Sequence, residues 1–114
     1  MRSIPFKTGD VHGGFSEGKG QICVEGDDLV IEVNVTFLGM VDRGTTTHRF
    51  DLTDLEAVQH SRTPFRDTLK IRTRPMDLIS DVPGANQGEL LLKIGRRNRR
   101  DVDDLLERLD LWLV

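Results

Sequence analysis

Cysteine is almost missing from this chain of 114 residues: Cys23 stands alone, so no internal disulfide can form and no set of cysteines can complete a zinc site. His12, His48 and His60 are scattered, without the spacing of a helical metal-binding pair. Long apolar runs are missing too. None approaches the roughly 20 residues that span a bilayer, which leaves only peripheral contact with a membrane. The opening Met1-Arg2-Ser3-Ile4-Pro5 lacks the apolar stretch of a secretory signal, so the chain reads as cytoplasmic. Basic charge is not in surplus: 16 Lys and Arg face 19 Asp and Glu, a formal net charge of -3. That argues against a nucleic-acid module held by overall charge and restricts any basic patch to a local one.

What is present is a well-mixed composition, 37% hydrophobic and 31% charged, in a length that suits one domain. Residues 1–19 read as a glycine-rich N-terminal arm, loosely held, in which Ile4-Pro5-Phe6 makes at most a brief strand. Residues 20–114 read as a single domain. From Gln21 the pattern has period two: Ile22 and Val24, a turn at Gly26-Asp27-Asp28, then Leu29, Ile31, Val33, Val35 and Phe37 on one face. Further strands are expected over Thr47–Leu52, Leu55–Ser61, Thr68–Arg74, Asp77–Val82 and Glu89–Ile94. About seven antiparallel strands result, at the spacing of a barrel or sandwich.

The period then changes. Asn98 is a candidate N-cap with Asp101 three residues on, and Val102, Leu105, Leu106, Leu109, Trp112 and Leu113 recur at helical spacing. A helix from about Asn98 to Val114 is predicted, docked on the strands by that stripe. The Gly20–Ile31 hairpin, the corner from Arg49 to Val58 and the terminal helix with Trp112 resemble the pleckstrin-homology-like superfold, in its small bacterial and GRAM-like branches. The resemblance implies a mainly β antiparallel barrel of about seven strands capped by the helix. Trp112 departs from it, since these domains usually carry the tryptophan nearer the middle of the helix. Lipid-binding relatives hold inositol phosphates with Lys and Arg around the loop between the first two strands. On the present strand assignment that loop is Gly26-Asp27-Asp28, preceded by Glu25, where carboxylates repel phosphate; lipid recognition is therefore not carried over.

Gly13-Gly14-Phe15-Ser16-Glu17-Gly18-Lys19-Gly20 spells a P-loop except that Gly20 replaces the magnesium-binding hydroxyl, and a strand pattern follows where a helix is required, so no nucleotide site is expected. Two sets of surface residues remain. Lys70, Arg72 and Arg74 form one basic ridge, and Lys93, Arg96, Arg97, Arg99 and Arg100 a second cluster ahead of an acidic stretch; together they suit an anionic partner, or simply a solvated connector. Cys23, Val30 and Leu91 point away from the core faces of their strands and form a candidate interface if barrel closure brings them together. The function expected is a non-enzymatic interaction module without cofactor or metal, binding a protein partner or its own copies. The alternative is peripheral, weak binding to anionic phospholipid through the basic residues.

Overall fold

The computed structural model describes residues 2–8, 16–37 and 41–110. Seven strands, all antiparallel, pair in one series: β1 (Ile4–Thr8), β2 (Ser16–Glu25), β3 (Asp28–Phe37), β4 (Val41–Asp51), β5 (Leu55–Arg62), β6 (Arg66–Thr73) and β7 (Glu89–Gly95), in the order β4-β3-β2-β1-β7-β6-β5. Two helices complete the fold, α1 (Met76–Ser80) and α2 (Arg99–Asp110). The mainly β class with one C-terminal amphipathic helix agrees with the sequence pattern. β4 and β5 stand at the two ends of the series, and no β4–β5 ladder joins them among the described residues. No described helix is long and apolar enough to cross a membrane.

The β2–β3 hairpin runs in unbroken register from Ser16↔Phe37 to Glu25↔Asp28. Gly26 opens its two-residue turn at φ 58°, the positive angle that a type II′ turn needs at its first central position. Leu29, Ile31, Val33 and Val35 bury the inner face, and Leu90, Leu92 and Ile94 do the same on β7. Val102, Leu105 and Leu109 of α2 join this core with Ile4, Phe6, Phe50, Leu52, Leu69 and Ile71. Each such large side chain contributes roughly 1.5–3 kcal/mol on burial, so the helix is fixed by its apolar stripe and not by its caps. A turn of 3-10 helix at Arg96–Asn98 leads into α2, and the Asn98 side chain makes no hydrogen bond with a described residue, in contrast to the expected N-cap. Trp112 and Leu113 lie outside the described residues.

Two elements differ from the sequence reading, and they exchange places in the strand count. The segment expected as a strand over Asp77–Val82 contains helix α1 followed by a turn, anchored by fully buried Ile79 and by Val82. The brief strand expected in a loosely held arm is β1, whose inner residues Ile4, Phe6 and Thr8 are buried between β2 and β7. Neither glycines nor a short length prevent this, because flanking strands supply both ladders. Phe6 is the ladder partner of Gly20, and a Cβ at Gly20 would stand 1.8 Å from the Glu32 carbonyl oxygen and 3.0 Å from the Phe6 ring, so only glycine fits there. The remainder of the glycine-rich arm, residues 9–15, lies outside the described residues; β2 begins at Ser16, so a strand follows those glycines.

Candidate functional site

The central feature of the outer surface is a row set by strand register. On β1, Ile4, Phe6 and Thr8 face inward, so Lys7 faces outward. Lys7 is the ladder partner of Lys19 on β2 and of Lys93 on β7. Three lysines thus lie side by side across three adjacent strands. Like charges directly opposite each other cost a sheet stability, and oppositely charged neighbours usually offset them. Lys7, Lys19 and Lys93 form no ion pair with a side chain that the structure describes.

Beside this row the β1–β7 ladder parts. Among the described residues, pairing between the two strands is present at Thr8↔Leu92 and Lys7↔Lys93. Pro5 has no N–H with which to extend a ladder. Beside the parting lies a cleft of about 430 Å³ lined by Pro5, Lys7, Lys19, Gly20, Arg66, Lys93, Gly95 and Asn98, with the buried Phe6 and Ile94 beneath it. No carboxylate among the described residues lines it. Four cationic side chains around one cleft suit an anion.

No protein-family model, curated protein or solved structure matches this chain.

A second group of charges is internally paired. Asp67, fully buried on β6, is held by Arg62 (Nη2 to Oδ2, 2.7 Å), by Arg99 (Nε to Oδ1, 2.8 Å) and by His60, which donates from Nε2 to Oδ2 at 2.8 Å. Burial pushes the Asp67 carboxyl up, but the hydrogen bonds from Arg62, His60 and Arg99 outweigh it and hold the pKa down at about 2. Arg62 also reaches Asp103 of α2 at 2.9 Å, and Arg99 donates to the Thr63 carbonyl, so the cluster ties β5, β6 and α2 together. Hydrogen bonds to Asp67 first, then to Asp103, raise the Arg62 pKa above its ordinary value. No hydroxyl or thiol among the described residues is hydrogen-bonded to His60, and the cluster acts as a structural clamp.

The expected basic residues fall into different roles. Lys70 lies 3.8 Å from Glu89, and Arg72 lies 3.6 Å from Glu89 and 3.9 Å from Glu56, so this ridge is neutralised by its neighbours on β5 and β7. Arg74 donates to the Thr53 carbonyl. Arg99 belongs to the Asp67 clamp. Arg96, Arg97 and Arg100 are exposed and form no ion pair with a described residue, and Lys93 is in the lysine row. The ridge thus has carboxylate neighbours that the described residues do not provide for Arg96, Arg97 and Arg100, and Lys7, Lys19 and Arg66 are cations outside the two sequence clusters that stand near Lys93.

The apolar trio is also redistributed. Cys23 and Val30 are ladder partners at the far end of the β2–β3 pair, Cys23 buried and Val30 half-buried. Leu91, 39% exposed, sits beyond the opposite end of β1, next to the Thr8↔Leu92 pair. At about 3.3 Å per residue this separates it from Cys23 by roughly 20 Å along the strands, so the three do not share a surface. Finally, β1 precedes the hairpin at Gly26, so the connection between the first two strands falls in residues 9–15, outside the described residues. The carboxylates at Glu25 and Asp28 belong to the second hairpin, where they flank Arg49 at 2.7 and 3.7 Å.

Proposed function

We propose that this chain is a non-enzymatic interaction module of pleckstrin-homology-like architecture that holds an acidic partner protein on its β2–β1–β7 face. The antiparallel strand order, with the C-terminal helix packed in the core, supports the architecture. The observation that carries the function is the row Lys19–Lys7–Lys93, which sets like charges opposite one another in two neighbouring ladders at a cost in sheet stability. Three charges at strand spacing suit the alternate acidic side chains of an extended segment laid across them. Titration with a polyglutamate peptide at low salt tests the reading: saturable binding that Lys7→Gln combined with Lys93→Gln weakens at least about tenfold supports it, and identical binding by wild type and variant refutes it.

A second reading, docking on an anionic membrane surface, is favoured by one observation. Phe65 is 81% exposed at the tip of the β5–β6 hairpin, in a turn that Thr63 closes by accepting from the Phe65 and Arg66 amides at 3.3 and 3.2 Å. Arg66 is the ladder partner of Gly95, which puts this tip next to Arg96 and Arg97. An exposed aromatic among unpaired arginines suits a lipid interface. Sedimentation with phosphatidylglycerol vesicles, lost in Phe65→Ser, distinguishes it from the first reading.

A further inference from the structure

Gly95 leaves a gap among the outward side chains at the cleft. On β7 Leu92 and Ile94 are buried, so Lys93 and Gly95 face outward, and on β6 the buried Asp67 sets Arg66, the ladder partner of Gly95, on that same face. Nothing in the backbone calls for glycine there: φ is -64°, and a Cβ would meet nothing within 4 Å. A strand glycine that neither conformation nor packing requires is less stable than alanine, and such a position suits close approach by a ligand. The hollow over Gly95 is bordered by Arg66, Lys93 and Lys7, with Pro5 and Asn98 also in its lining. Lys7 and Lys93 are direct ladder partners, so their Cβ atoms stand about 5 Å apart and both ammonium groups can reach one anion. A carboxylate brings a single charge to that pair, whereas a phosphomonoester brings about two, with three acceptor oxygens. Arg66 adds a planar guanidinium, whose fork of N–H donors fits two phosphate oxygens at once. We infer that the acidic partner carries a phosphorylated serine or threonine whose phosphate seats over Gly95, held by Arg66, Lys93 and Lys7. The inference rests on the acidic-partner reading above and names the group that the partner presents.

The test compares two acidic peptides by calorimetry and amide chemical shifts on the full chain: one with a single central phosphoserine, the other with two glutamates in its place, so that total charge is matched. The phosphopeptide is expected to bind at least about tenfold more tightly, through charge-assisted hydrogen bonds that separate carboxylates do not converge to make, with shifts at Gly95 and Arg66. Gly95→Leu fills the hollow and Arg66→Gln removes the guanidinium; each should abolish the difference between the peptides, and melting curves establish that both variants fold. Equal affinity for the two peptides, or a difference that survives both substitutions, overturns the inference while leaving an acidic partner on the lysine row intact. Failure of both peptides to bind removes the anion-holding face as well. Vesicles containing phosphatidic acid form a parallel arm: sedimentation with them that Gly95→Leu abolishes, together with equal affinity for the peptides, assigns the hollow to a lipid headgroup and likewise overturns the inference.

Discussion

Around Asp67, three cationic or protonatable side chains converge on one buried carboxylate, whereas across β2, β1 and β7 three lysines are ladder partners of one another and form no ion pair with a side chain that the structure describes. Both groups are built on the same sheet, the first with Arg99 of α2 added. In the first, charge is used internally: removing water from Asp67 is offset by several directed hydrogen bonds, and the result joins the last helix to the sheet. In the second, charge is kept available at the surface, and the sheet bears the repulsion. The difference shows that in this fold the density of basic residues says little about function. What separates the two regions is whether the register supplies a counter-charge.

Breaking the clamp should have the largest effect. Asp67→Ala leaves Arg62 and Arg99 without their buried partner and is expected to cost about 3–5 kcal/mol, read from the denaturant midpoint. The same group sets an acid limb: its folded pKa of about 2 lies below the ordinary carboxylate value, so its contribution is fully present above about pH 4 and is lost as pH falls towards 2. Stability of Asp67→Asn measured over that window should therefore fall less steeply than that of the wild type. In the lysine row the sign reverses. Lys7→Thr is expected to stabilise the chain by about 0.5 kcal/mol while weakening polyglutamate binding, a pair of effects that a purely structural lysine does not produce. The smallest effect belongs to the neutralised ridge: Lys70→Gln with Arg72→Gln should shift stability by less than about 0.5 kcal/mol and leave anion binding unchanged.

Helix α2 and the β2–β3 hairpin were legible because each is long enough to display its period: Val102, Leu105 and Leu109 recur at helical spacing, and Leu29 to Val35 alternate. Met76–Ser80 and Ile4–Thr8 are five residues each, too short for periods of 2 and 3.6 to separate, and here the packing of Ile79 and the flanking ladders decided the outcome. The site was harder to see. Lys93 was recognisable as one of a basic run, but Lys7 and Lys19 become its neighbours only through the register of β1, and recognising β1 was the step that composition obscured. Once β1 is identified, outward parity at Lys7 follows directly from the burial of Ile4 and Phe6.

The position of β1 has a kinetic consequence. Its pairing with β2 joins residues close in sequence, as in Lys7↔Lys19, whereas Thr8↔Leu92 joins positions 84 apart. Strands β1 to β4 and strands β5 to β7 each pair in chain order, and among the described residues the β1–β7 seam is the ladder that connects one set to the other. Closing so long a loop must precede any reward from the contacts it makes, so the seam is expected to zip late on the folding path and to reopen early. Amide protons of Lys7, Thr8, Leu92 and Lys93 that take part in the seam should then exchange through local opening, faster than those of the β2–β3 ladder.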